Sequence, residues 1–90
     1  MNEQTAYLQC VSLLEEIEAY TRIRQMIALE HDYDPHELAA YDRQIAAISA
    51  ELYALFPACQ QYAQTVNDSH LLEFCERTAT PREHFERSTP

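Results

Sequence analysis

Apolar residues recur at helical spacing through the middle of the chain. Between Asp34 and Phe56, successive apolar positions are three or four residues apart, as in the seam of a coiled coil. The seam consists of Leu38, Tyr41, Ile45, Ile48, Leu52 and Leu55. Asp34, Pro35 and Glu37 match the N-cap, the first helical position and the reciprocal position of a capping box. Because Pro57 ends or kinks a helix, the pattern predicts a helix over about residues 35–56.

A second amphipathic pattern covers about residues 3–31 and ends in an acidic loop. One face is apolar at about 100° per residue. It carries Ala6, Cys10, Leu13, Leu14, Ile17, Tyr20, Thr21 and Ala28. The reverse side carries Leu8, Val11, Met26 and Leu29, clustered toward its two ends. A helix that is apolar on two sides usually touches more than one neighbour, so this side either packs under the C-terminal segment or contacts a partner.

The two patterns and the short loop between them predict an antiparallel helical hairpin. Two shorter helices follow, one from about Cys59 to Val66 and one that ends near Arg77, separated by a break at residues 67–69. The chain contains no glycine, on which hairpin turns and phosphate loops rely. We therefore expect an all-α fold: a long hairpin (about 3–31 and 35–56) with two shorter C-terminal helices packed on it. Residues 1–79 form one domain in this prediction, and residues 80–90 form a frayed or flexible tail.

Two features of the hairpin have more than one interpretation. Arg24 projects onto the apolar face of the first helix, where it snorkels, pairs with an internal carboxylate or anchors a partner. The back of the second helix carries Arg43 and a set of alanines, which are Ala39, Ala40, Ala46, Ala47, Ala50 and Ala54. Alanine is the best helix former on an exposed face, but small side chains also permit a second close helix contact. On the first helix, Glu18 and Arg22 are spaced for an i,i+4 ion pair.

The charge of the chain restricts its partners. The net charge is −9, and all six basic residues are arginines. Direct binding to DNA, RNA or an anionic membrane requires a basic surface, so a protein with a basic surface is the expected partner, unless the acidity serves only solubility. No apolar run approaches the roughly 18 residues of a membrane span, and the polar start of the chain lacks a signal-peptide pattern. Three cysteines without framework spacing favour a cytoplasmic protein with reduced thiols.

Candidate sites for metals and catalysis are weak. The loop region offers His31, Asp32, Asp34, His36 and Glu37, and a second set is Cys59, His70, Cys75 and His84. Neither spacing matches an EF-hand or a zinc module, so no metal or other cofactor is expected. Cysteines on apolar helical faces are inert, and a chain without glycine offers few backbone amides for an oxyanion hole. We therefore do not expect an enzyme.

These patterns favour a non-catalytic, small acidic helical protein that binds a protein partner and regulates or inhibits it. The composition is similar to that of small acidic helical inhibitors and adaptors encoded by bacteriophages and other mobile elements. Six tyrosines suit an interface, and homodimerisation through the hairpin is also expected. The predicted partner-binding residues are Leu8, Val11, Glu15, Glu18, Arg22, Met26, Leu29, Asp32, Tyr33 and Tyr53.

Two other functions remain open at this point. In the first, the protein mimics a nucleic acid and blocks a DNA- or RNA-binding protein. Carboxylates would then copy the spacing of phosphates, and the candidates are Glu15, Glu18, Glu30, Asp32 and Asp34. In the second, the chain is a metal-binding helical bundle or a small enzyme.

Overall fold

The computed structural model describes residues 2–79, with side chains as far as Glu76. Its elements are α1 (Glu3–Ala28), α2 (Pro35–Leu55), a 3₁₀ turn (Phe56–Ala58), α3 (Gln60–Thr65) and α4 (Ser69–Ala79). The described part of the chain contains no strand, and the predicted all-α hairpin with two shorter helices packed on it is confirmed. The tail predicted from residue 80 lies outside the described residues.

Side-chain caps begin both long helices. The Asn2 side chain accepts a hydrogen bond from the Thr5 N–H at 2.7 Å and starts α1. Asp34 is the predicted N-cap of α2 and accepts from the His36 N–H at 2.9 Å, with Pro35 in the first turn. The reciprocal bond of a capping box, from the Glu37 side chain, is not formed among residues 2–79. The cap that begins α2 is therefore an Asp-Pro cap satisfied from one side only.

The first helix is three residues shorter than predicted, because it ends at Ala28 instead of residue 31. The Leu29 N–H still bonds to the Gln25 carbonyl, and the Glu30 N–H bonds to the Ile27 carbonyl in a tighter turn. The loop that follows α1 contains Glu30 and Asp32. Negative side chains are unfavourable at the negative end of a helix dipole, which gives a physical reason for the early end.

The buried core lies at the end of the hairpin away from its loop. It consists of Ala6, Cys10, Leu13, Leu14, Ile17, Leu52, Phe56, Cys59, Ala63, Leu71 and Cys75. The 3₁₀ turn, α3 and α4 fold back onto the first half of α1 and cover it there. Below, the hairpin tip means residues 20–42, and the base means the other described residues. In the tip, Ile27 is the single buried side chain.

Asp68 joins α4 to α1. Its Oδ1 accepts the N–H of Leu71 at 3.1 Å and so caps α4, and its Oδ2 accepts the Tyr7 O–H at 2.6 Å. The preceding residue, Asn67, has a positive φ of 58°. Asparagine is the residue other than glycine that tolerates this conformation best. In a chain without glycine, Asn67 therefore makes the turn that the predicted break at 67–69 requires.

Candidate interaction surface

Large apolar side chains are exposed mainly at the hairpin tip. Leu29 is 87% exposed, Met26 69%, Tyr33 46% and Ile23 39%. These four residues are called the tip patch below. Only two other large apolar side chains in the described part of the chain are exposed, Leu8 and Val66, and both belong to the base.

The helical geometry of α1 explains the tip patch. Around α1, Ile23 lies between Met26, about 60° away, and the buried Ile27, about 40° away, which fits its lower exposure of 39% against 69% for Met26. Leu29 follows the last helical residue, in the loop. Since α3 and α4 pack at the other end of the hairpin, no element within residues 2–79 covers this side of the tip.

The loop side of the tip patch is acidic. Residues 25–41 contain four exposed carboxylates, Glu30, Asp32, Asp34 and Glu37, and neither lysine nor arginine. Two cations flank Ile23 on α1: Arg22 is exposed, and Arg24 is engaged with Asp42. Its Nε lies 2.5 Å from Asp42 Oδ1, and its Nη2 lies 3.3 Å from Oδ2. Of the interpretations open for Arg24, the structure therefore favours an internal pair, although this pair is partly exposed.

The predicted partner-binding residues fall into separate groups. Met26, Leu29, Asp32 and Tyr33 lie together at the tip. Leu8 and Val11 lie 15 to 21 residues before Met26 and Leu29 on the same helix, which corresponds to roughly 22 Å or more along its axis. Leu8 is exposed, whereas Val11 is partly buried. Glu15, an exposed residue, lies between the two groups.

Glu18 and Arg22 line a groove of about 350 Å³ between α1 and α4, together with Ile17, Thr21, His70, Glu73 and Phe74. The predicted pair between Glu18 and Arg22 is not formed. Instead, Glu18 Oε2 lies 2.7 Å from His70 Nε2. The groove is open, and the Glu18–His70 contact is a surface interaction, which contributes little to stability.

Tyr53 is partly buried rather than free. Its ring stacks on Phe74 of α4 with 6.0 Å between ring centroids. Two further tyrosine pairs connect helices: Tyr20 contacts Tyr41 across the hairpin, and Tyr7 contacts Tyr62 of α3. Five tyrosines therefore take part in ring contacts within the fold, and Tyr33 is the tyrosine left exposed for a partner.

Ile23 was missed by the sequence-based prediction. It is 39% exposed and lies three residues from Met26 and four from the buried Ile27, so spacing along α1 alone did not identify it as a surface residue. The alanines on the back of α2 are mostly exposed, so within a single chain α2 is an outer helix of the hairpin and not a central one.

Within residues 2–79, no group of three or more His, Cys, Asp or Glu side chains is arranged to hold a metal ion. His84, part of one of the two weak candidate sets, lies outside the described residues. Asp34 of the other set caps α2. In the same part of the chain, no helix is long and apolar enough to cross a membrane.

All three cysteines are free and buried in the base. The Sγ atoms of Cys10 and Cys59 are 3.4 Å apart. Burial, with the contact to Cys59 as a smaller cause, raises the pKa of Cys10 to about 12. Burial also raises the pKa of Cys75 to about 11, helped by nearby Cys59 and Glu76. Both thiols are therefore held protonated at neutral pH, so they are poor nucleophiles.

No protein-family model matches the chain, and neither a curated protein nor a solved structure is significantly similar to it. The geometry of the chain is therefore the basis for assigning a function.

Proposed function

We propose that this protein binds a protein partner through its hairpin tip and regulates or inhibits that partner by occupying its surface. The observation that carries the proposal is the tip patch: four large apolar side chains are exposed at the end of the molecule that contributes least to the core. Contiguous exposed apolar surface rimmed by polar residues marks interaction sites.

The acidic rim determines the kind of partner. Glu30, Asp32, Asp34 and Glu37 make the loop side of the patch acidic, while the exposed Arg22 lies on its α1 side. A matching surface has an apolar centre and basic residues around it. Such complementarity accelerates association and selects the partner, while the buried apolar side chains contribute most of the affinity.

The tip is also held in position for binding. The Arg24–Asp42 pair and the Tyr20–Tyr41 contact connect α1 to α2 on the base side of Ile27, which is itself buried. Two packed helices present the patch at less cost in conformational entropy than a free loop.

The proposal is tested by affinity capture from a lysate of the cells that encode the protein, with quantitative mass spectrometry. Wild-type protein is compared with the double variant Met26→Ser/Leu29→Ser and with the control Val66→Ser, which removes an exposed apolar side chain from the base. We expect the tip variant to lose the partner by about tenfold or more, and the control to retain it. Circular dichroism checks that all variants stay folded.

A partner that is retained by the tip variant contradicts the proposal. Salt dependence then distinguishes the nucleic-acid mimic. Binding that withstands Met26→Ser/Leu29→Ser but weakens steeply between low and high salt favours a mimic. Among its candidate carboxylates, three lie at the tip, whereas Glu18 contacts His70.

The uncovered hairpin supports a second part of the proposal, a homodimer. Leu52 is the single buried residue of α2, while Leu38 and Tyr41 of its seam are half-buried. Two hairpins packed together form a four-helix bundle in which α2 is covered on both sides. Light scattering of the purified protein is expected to give twice the mass of the chain, and a monomer mass contradicts this part.

A further inference from the structure

Three cysteines from separate parts of the chain meet in the base, and the proposed binding through the tip does not use them. Cys10 lies on α1, Cys59 lies between the 3₁₀ turn and α3, and Cys75 lies on α4. Cys10 and Cys59 are 49 residues apart in sequence, yet their Sγ atoms are separated by only 3.4 Å. Both are free thiols, and the Cys59 S–H donates a weak hydrogen bond to the Cys10 sulfur.

We propose that Cys10 and Cys59 form an intramolecular disulfide when the protein meets a disulfide oxidant such as oxidised glutathione. The bond ties the first half of α1 to the start of α3 and makes the stability of the base redox-dependent.

The geometry favours this pair. A disulfide has an S–S distance of about 2.05 Å, so the two sulfurs have to approach by a little over 1 Å. Cys10 is held within the first half of the long helix α1, whereas Cys59 lies at the junction between the 3₁₀ turn and α3, with φ −128° and ψ 4°. Small changes of torsion at this junction move the Cys59 sulfur without bending α1.

The chemistry is thiol–disulfide exchange in two steps. The thiolate of one cysteine attacks a sulfur of oxidised glutathione, forms a mixed disulfide and releases one glutathione thiolate. The second cysteine, as a thiolate, attacks the protein sulfur of that mixed disulfide and releases the second glutathione. In total, the protein loses two protons and two electrons, and one oxidised glutathione becomes two reduced glutathione molecules.

Burial controls the rate of the reaction. Both sulfurs belong to side chains with no exposed surface, so the oxidant reaches them only after local opening. The helices that cover them, α3 and α4, have 6 and 11 residues, too short to be stable when detached from α1. The raised pKa of Cys10 also makes its thiolate scarce at neutral pH. Slow oxidation in buffer, accelerated by mild urea or by higher pH, is therefore expected.

The test uses the full chain, reduced and then incubated with oxidised glutathione in increasing concentrations of urea below the unfolding transition. Remaining thiols are blocked with an alkylating reagent, and the product is mapped by peptide mass spectrometry. We expect a loss of two hydrogen masses, a Cys10–Cys59 crosslink and one alkylated thiol at Cys75. A disulfide between two cysteines 49 residues apart is expected to raise the melting temperature by roughly 10 °C or more relative to the reduced protein, because it restricts the unfolded chain.

Matched variants assign the pair. Cys75→Ala is expected to form the same crosslink with a similar stabilisation, whereas Cys10→Ala and Cys59→Ala are expected to gain none. A crosslink between Cys59 and Cys75, or glutathione adducts without a crosslink, overturns the proposal. So does full alkylation of the thiols at a urea concentration where no disulfide forms, because the thiols are then accessible and still do not pair. Since the mapping is done on the wild-type chain, its result does not depend on whether a variant folds.

Discussion

The base and the tip share the two long helices, α1 and α2, but are held together by different interactions. In the base, eleven buried residues from every element form one cluster. In the tip, α1 and α2 meet through one buried residue, Ile27, through the Arg24–Asp42 pair and through the Tyr20–Tyr41 contact. The base therefore provides most of the stability, and the tip is free to carry exposed apolar and acidic side chains.

This difference has a consequence for function. A binding surface built on residues that the fold does not need is able to change without unfolding the protein. A surface in the base has no such freedom, because the side chains there are packed against one another. In the proposed function, the tip is thus the region where specificity for a partner would be gained at the smallest cost in stability.

The largest expected effect is the loss of Leu52, which is fully buried in the base. Leu52→Ala is expected to lower the free energy of unfolding by about 2–5 kcal/mol, because it removes apolar contacts and leaves a cavity. At the tip, Leu29→Ala is the matched control and is expected to change the free energy of unfolding by no more than about 0.5 kcal/mol. Urea unfolding followed by circular dichroism measures both values.

A large destabilisation by Leu29→Ala would contradict the conclusion that the base provides most of the stability. It would mean that a second copy covers the tip patch in solution, and the destabilisation by Leu29→Ala would then shrink when the protein is diluted until it is monomeric.

A smaller effect is expected at Asp68, which both caps α4 and accepts the hydroxyl of Tyr7. Asp68→Ala is expected to cost about 1–3 kcal/mol, because it leaves the α4 start and the Tyr7 hydroxyl without their acceptor. Asp68→Asn retains a carbonyl oxygen for the cap and is expected to lower the free energy of unfolding by less than Asp68→Ala. Thermal unfolding compares the three proteins, and equal losses for both variants would show that the cap contributes nothing.

The same contact predicts a pH dependence. The hydrogen bond to Asp68, with burial and the Asp68 charge as smaller causes, raises the pKa of Tyr7 to about 12 from its usual value of 10.0. In the unfolded chain Tyr7 ionises first, so the stability that it contributes is fully present below pH 10 and is lost as the pH rises toward 12. The stability difference between wild type and Tyr7→Phe is therefore expected to shrink across this range. A constant difference from pH 9 to pH 12 would contradict the assignment.

Local residues predicted the helices well. The Asp34-Pro35 cap and Pro57 bound α2 to within one residue, because caps and prolines act on the neighbouring backbone. The end of α1 was misplaced, because helical periodicity continues past Ala28 while the acidic loop opposes it. Boundaries are thus predictable where a cap marks them.

The division into base and tip was not predictable from spacing. Leu38 and Leu52 occupy equivalent positions of the α2 seam, yet only Leu52 is buried. The difference arises because the 3₁₀ turn and the two short helices return to the Leu52 end, and nothing in the seam specifies that return. Cys10 and Cys59 met for the same reason, through tertiary packing of distant segments.

The smallest expected effect concerns the Arg24–Asp42 pair in the tip. Both side chains are partly exposed, so solvent screens the pair, and Asp42→Asn is expected to cost no more than about 1 kcal/mol. The cost is expected to shrink further in high salt. Urea unfolding at low and high salt measures it, with Asp32→Asn as a control at an acid that makes no ion pair within residues 2–79. A loss as large as that of Leu52→Ala would mean that the tip is buried in an assembly, where an arginine left without its carboxylate is strongly destabilising.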